Sequence, residues 1–332
     1  MTIDSLAAIP LRFKHVIAFE VSKAELVVQS FPDGRPLRIA NRRAAIAKAI
    51  RRERTRNGKL GLGPLLVVCE ATGSYGRQIV EVAHQLGVAM HRAHGSRVRA
   101  FARFKGQLAK SDAIDVGMVG AYALASEGLA LHVPDRAEQK RLRALIDRRS
   151  QVCDLIEAER CRLEHVEEKD IERMIAAHIR TLEMQKRRIE ASLDELAESD
   201  ATFAKACRLM RSVKGVGTMT PLALLAYLPE IGAVSRETIA ALAGLAPFDR
   251  DSGTSTGRRH VAAGRAPARQ ALYMPATVAI RHNAHLKALF DRLIARGRPF
   301  KAAITAVMRK LLVILNAVVA SGRPCHMAGA AR

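Results

Sequence analysis

The sequence predicts an α/β domain followed by an all-helical remainder. Three observations predict it: strand-like and helix-like segments alternate over residues 14–130, a charged amphipathic stretch without Gly or Pro runs from about Asp135 to Ser199, and from Phe203 onward short helices are broken by Gly and Pro. A chain of 332 residues has room for two or three domains. The changes of texture divide it as 1–134, 135–202 and 203–332.

In the first region the β-rich run His15–Glu20 resumes as Ala24–Gln29 across Val21-Ser22-Lys23, a hairpin or a bulged strand. Leu65–Glu70 reads as a short apolar strand after the turn-like Gly61-Leu62-Gly63-Pro64, and Val80–Leu86 as a helix that ends at Gly87. In the central region Leu142, Leu145, Val152, Ile156, Leu163 and Val166 keep to helical steps, as do Ile171, Ile175, Leu182, Ile189, Leu193 and Leu196. That is the pattern of a coiled coil or helical hairpin, a spacer or dimerisation arm, and it sets the expectation of a homo-oligomer, dimer or tetramer.

In the third region Leu209–Gly217 is followed by a helix through Leu228, a helix-hairpin-helix-like plan. Its turn, with Lys214 beside Gly215 and Gly217, exposes backbone N–H groups at a helix N-terminus and is a ready site for a duplex phosphate; a plain helix C-cap is the competing reading. Along Arg281–Lys310 an apolar stripe through Leu286, Leu289, Phe290, Leu293, Ile304, Val307 and Leu311 reads as core packing.

Lys and Arg number 54 against 32 Asp and Glu, a formal charge of +22. Self-repulsion of that size makes sense when a polyanion neutralises it, so nucleic acid is the expected partner. A membrane surface is disfavoured: the apolar runs Leu222–Leu228 and Leu311–Ala320 are too short to span, and MTIDSLAAIP lacks the plan of a signal peptide, so a cytoplasmic protein is expected. Aromatic residues make up only 4%, so the core is aliphatic and base stacking is not the leading mode of recognition. The five cysteines are never spaced C-x-x-C and offer neither a disulfide framework nor a zinc knuckle. His91 and His94 read as solvated polar residues of a basic segment rather than metal ligands.

The chemistry sits in four acids. Glu20 ends Val-Ile-Ala-Phe-Glu and Glu70 ends Leu-Leu-Val-Val-Cys-Glu, so both face the rim of a buried sheet. In Lys110-Ser111-Asp112-Ala113-Ile114-Asp115, Ser111 is placed to cap a helix whose three-residue spacing sets Asp112 and Asp115 on one face. Four carboxylates brought together need cations, and hard oxygen donors select Mg²⁺ or Mn²⁺. The basic run Arg92, Arg97, Arg99, Arg103, Lys105 and Lys110 leads directly into the Asp pair, as a phosphodiester substrate requires.

These residues also resemble a family. His15–Lys23, Glu70–Gly76, Phe101–Asp115, Arg211–Gly217, Gly244–Pro247, Asp251–Gly253, Gly264-Arg265 and Arg281–Asn283 are similar, in order and over nearly the whole chain, to motifs of the DEDD-type insertion-sequence transposases and the related pilin-gene invertases. The resemblance implies a RuvC-like, ribonuclease-H-type N-terminal domain whose acids, here Glu20, Glu70, Asp112 and Asp115, hold Mg²⁺. It also implies a coiled-coil insertion and a C-terminal domain with a nucleophilic serine, here Ser252, that forms a phosphoserine link to DNA while a structured guide RNA selects the DNA partners. Members usually carry Asp where this chain has Glu20, and the extra methylene bears on Mg²⁺ geometry. Ser255 is the local rival of Ser252. Arg258, Arg259, Arg265 and Arg269 are placed to clamp a phosphate, with a solvated basic loop as the competing reading.

The expected activity is therefore metal-dependent strand cleavage and exchange by a site-specific recombinase. Two rivals fit the same residues: a junction nuclease that activates water, and a nucleic-acid-binding remnant whose chemistry was lost through Glu20.

Overall fold

The computed structural model describes residues 12–71, 73, 75–107, 109, 111–248, 260, 261 and 263–325. The chain forms two compact units, Met1–Asp135 and Arg136–Arg332.

The first unit is built on a five-stranded mixed sheet of order β3-β2-β1-β4-β5. Its strands are β1 (His15–Val21), β2 (Glu25–Phe31), β3 (Leu37–Ala40), β4 (Leu65–Glu70) and β5 (Ala89–Ala93). The hairpin expected around Ser22 is present: β1 and β2 are antiparallel, and the Ser22 hydroxyl donates to the Glu25 carbonyl at 2.6 Å. β4 runs parallel to both β1 and β5. Parallel neighbours need crossover helices, supplied by α1 (Arg43–Leu60) and α2 (Arg77–Gln85).

Strand alternation divides the core into two layers. Odd-numbered β1 residues Ile17 and Phe19, with Val67 and Cys69 of β4, pack against Ile46 and Ile50 of α1 and Ile79 of α2. Even-numbered Val16 and Ala18, with Leu66 and Val68, face Val98 of α3 (Gly95–Phe104) and Val116, Val119 and Tyr122 of α4 (Asp112–Ala125). A Cβ at Gly120 would overlap the Phe31 ring, so glycine there lets α4 lie directly on the sheet.

The second unit is helical. α5 (Ala137–Leu163) and α6 (Lys169–Ser199) form a helical hairpin across a short turn. Its base is buried: Leu142, Ile146, Leu193 and Leu196 share a core with α7 (Ala201–Arg211), α8 (Met219–Tyr227), α9 (Arg236–Leu242), α10 (Ala266–His282), α11 (Ala284–Ala295) and α12 (Phe300–Ser321). Toward the turn the stripe emerges, with Ile171 46% and Met174 67% exposed. A two-residue ladder, β6 (Pro247–Phe248) with β7 (His260–Val261), lies between α9 and α10.

α12 carries both the stripe at Ile304, Val307 and Leu311 and the run Leu311–Ala320, and together they make Phe300–Ser321 long and apolar enough to cross a membrane by length and composition. Half of its apolar window is buried, and Ile304, Val307, Leu311, Leu312 and Leu315 are core residues of the second unit, which accounts for the hydropathy without a bilayer.

Candidate active site

Parallel register places the first two acids. The β1–β4 ladder pairs Phe19 with Cys69, so one step on Glu20 lies beside Glu70, both on the face covered by α3 and α4. Glu20 is paired across the hairpin with Val27, Val27 with Arg38, and Glu70 with Ala93. One row thus crosses the sheet as Arg38, Val27, Glu20, Glu70, Ala93.

α4 brings the second pair. Ser111 is its N-cap as expected, its hydroxyl accepting from Ile114 N–H at 3.3 Å, and Asp112 and Asp115 occupy the first turn, where the helix dipole favours negative charge. Asp115 is half-buried and Asp112 exposed. Arg38 reaches Asp112 at 3.8 Å while also bonding Glu25 at 3.1 Å.

Glu20 registers the convergence. Burial pushes its carboxyl up to about 7, and the charges of Glu70, Asp115 and, more weakly, Asp112 push in the same direction against a hydrogen bond from the Val21 backbone. Its Oε2 is buried with no hydrogen-bond partner. All four sequence-predicted acids therefore share one electrostatic neighbourhood on one face. Their side chains are not drawn into contact: among the described residues no three His, Cys, Asp or Glu groups stand close enough to make a closed ligand set. An orphaned carboxylate oxygen amid hard oxygen donors fits a divalent cation in chemistry.

Two neighbours of the acids escaped the sequence reading. Arg38 is brought in by cross-strand register, which no local motif reports. Gly95, the first residue of α3, lies so near Glu70 Oε1 that a Cβ there would overlap it, so the N-terminus of α3 abuts the carboxylate.

His91 also corrects the reading. It is buried in β5, its Nδ1 2.8 Å from the Ala130 carbonyl, and burial holds its pKa below the usual histidine value. His94 caps α3, its Nδ1 accepting from Ser96 N–H at 3.3 Å. The cysteines are free, with Cys69 buried and its thiol pushed up to about 12, chiefly by burial.

Of the expected nucleic-acid contacts, Arg97, Arg103 and Lys105 are exposed on or just after α3, as is Lys214 in the turn before α8. Gly217 has open space around it, and α8 has no side-chain cap. Gly215 has φ 101° and would meet Ala279 Cβ at 2.8 Å if it carried a side chain, which gives it a packing role against α10. Arg265 donates to both Glu230 oxygens at 2.6 Å and to the Tyr227 carbonyl at 2.8 Å. Arg269 donates to the carbonyls of Ala243, Gly244 and Ala263. Both guanidinium groups thus already have partners within the second unit. Lys110, Ser252, Ser255, Arg258 and Arg259 lie outside the described residues.

Two family models match the chain. A transposase model of the DEDD, IS110 type matches residues 31–166, and the transposase IS116/IS110/IS902 family model matches 207–291. The pilin gene-inverting proteins of Moraxella bovis and Moraxella lacunata are each 27% identical over 267 residues, 78% of this chain and 81% of theirs. The insertion element IS110 uncharacterized 43.6 kDa protein of Streptomyces coelicolor is 25% identical over 150 residues, 45% of this chain and 36% of its own. The first match runs from β3 through α5 and takes in Glu70, Asp112 and Asp115. The chain is thus similar, over two separate stretches, to transposases of the IS110 family, and over much of its length to two pilin gene-inverting proteins.

Proposed function

We propose that the protein is a divalent-metal-dependent, site-specific DNA recombinase that cuts and rejoins the ends of its own mobile element through a covalent serine–DNA intermediate, with a structured guide RNA choosing the DNA partners. The observation that carries the metal-dependent part is the crowding of Glu20, a half-buried carboxyl held protonated to about 7 by burial and by three neighbouring acids. Glu20, Glu70, Asp112 and Asp115 would hold the ion, Mg²⁺ or Mn²⁺, which supplies stabilisation of charge developing on a phosphate. Arg97, Arg103, Lys105 and Lys110 neutralise the backbone of the DNA beside these acids. Lys214, Gly215 and Gly217 hold a second stretch of backbone at the uncapped start of α8, with Arg258 and Arg259 as further phosphate contacts. Arg265 and Arg269 act mainly as braces at the base of the segment that carries Ser252, given their carbonyl and carboxylate partners. Ser252 exchanges one phosphodiester for another, a transfer that conserves bond energy. The protein works as a homo-oligomer whose helical hairpin serves as the dimerisation arm.

One observation favours a second reading. Glu20 stands where the family usually has Asp, so a nucleic-acid-binding protein with little or no cleavage is the alternative. Denaturing gels separate these readings. Protein incubated with element-end DNA, its flanking RNA and Mg²⁺ is expected to give a protein–DNA adduct that disappears in Ser252→Ala and in Asp115→Asn. Cleavage without an adduct identifies a nuclease, and cleavage that appears only in Glu20→Asp identifies a damaged enzyme.

A further inference from the structure

The last turn of α3 ends in Phe104, at 83% the most exposed large apolar side chain among the described residues. The ring has no packing role in its own unit. Phe101, one turn earlier, fills that role: it meets Tyr122 edge to face at 5.9 Å between ring centres, and the Lys105 ammonium lies 5.8 Å from its ring. Phe104 instead stands in water between exposed Arg103 and Lys105. Arg97, seven residues back, comes round to the same helical face. From Arg92 to Ser111 the chain contains no acid.

An exposed phenyl ring flanked in sequence by exposed Arg103 and Lys105, with Arg97 on its own helical face, suits one class of occupant. An apolar protein face would strip water from Arg103 and Lys105 without compensating their charge. A nucleic-acid strand neutralises the cations with its phosphates and presents a base face to the ring. Position adds to this. α3 begins against Glu70 at Gly95, and nine residues at 1.5 Å set Phe104 about 14 Å further along, roughly four stacked nucleotides.

We infer that Phe104 is a stacking contact for an unpaired nucleobase, holding a single-stranded segment about four nucleotides from the acidic site. The inference rests on the nucleic-acid reading proposed above and concerns a binding contact rather than the chemistry. It departs from the low aromatic content, which had put base stacking aside: a single ring in the right setting is enough.

The test uses the full-length protein and oligonucleotides of one sequence containing 2-aminopurine, as single-stranded DNA, single-stranded RNA and duplex DNA. Wild-type protein is expected to quench the fluorescence of a single strand. Phe104→Ala is expected to abolish the quench and weaken single-strand binding about tenfold, while duplex binding changes less than twofold. Phe104→Trp restores both and Phe104→Leu does not. A preference between DNA and RNA strands tells which nucleic acid supplies the base. Equal quenching by wild type and Phe104→Ala, equal losses on duplex and single strand, or full rescue by Leu overturns the inference and leaves the recombinase reading intact. Failure of wild type to bind any of the three overturns both.

Discussion

On the proposed reading, Glu20 is the residue on which the chemistry turns. Its proton is held to about pH 7 in the folded chain and released near the ordinary glutamate value of 4.5 when unfolded, so between those values the native state binds more protons and stability falls as pH rises. Glu20→Gln removes the repulsion. It should raise stability at pH 8 by about 1–2 kcal/mol, allowing for partial solvent screening, and the gain should shrink as pH falls from 7 and vanish only well below 4.5, where Glu20 is neutral both folded and unfolded; melting temperatures across this range check it. Gly95→Ala makes a complementary case. The overlap is with the end of a flexible carboxylate, so folding should survive, but Glu70 must swing away and Mg²⁺-dependent cleavage should fall at least tenfold on the gel assay. The four acids were legible in the sequence because each closes an apolar strand or opens a capped helix. Arg38 and Gly95 were not, since one arrives through strand register and the other through the approach of the N-terminus of α3 in space.

At the scale of elements, the docking of α4 on the sheet decides whether the two pairs of acids meet. Gly120→Ala drives a methyl group into the Phe31 ring and should destabilise the protein by about 1–3 kcal/mol in chemical denaturation, with Mg²⁺-dependent activity falling alongside. In the second unit Asn316 of α12 accepts from Gly232 N–H at 2.8 Å and donates to the Val234 carbonyl at 2.9 Å. Asn316→Ala strands both backbone groups and should cost about 1–3 kcal/mol in the same measurement. Strands β1, β2 and β4 and helix α2 were readable because their apolar periods are clean and their ends are punctuated by Ser, Gly or Pro. β3 and β5 were not: Leu-Arg-Ile-Ala and Ala-Met-His-Arg-Ala are short and mixed, and they become strands only by pairing with neighbours already in place. The helical hairpin was readable along its whole length, whereas its share in the core of the second unit depends on tertiary contacts at Leu142, Ile146, Leu193 and Leu196.

At the scale of the whole molecule, a formal charge of +22 makes polyanion binding a property of the chain rather than of one motif. DNA affinity should fall linearly with salt on logarithmic axes, and Lys214→Ala should reduce the slope by about one, as titrations in rising salt will record. On the proposed reading, the concentration of four acids on one face of so cationic a protein is what would make that face a reaction centre instead of a binding surface. The most direct measurement follows the titration of Glu20, assigned by its loss in Glu20→Gln, in protein carrying ¹³C-labelled glutamate, with and without Mg²⁺. A midpoint near 7 is expected in the metal-free protein, falling by at least one unit when the ion is added, with the fall lost in Asp115→Asn. A midpoint near 4.5 that Mg²⁺ leaves unmoved would contradict it.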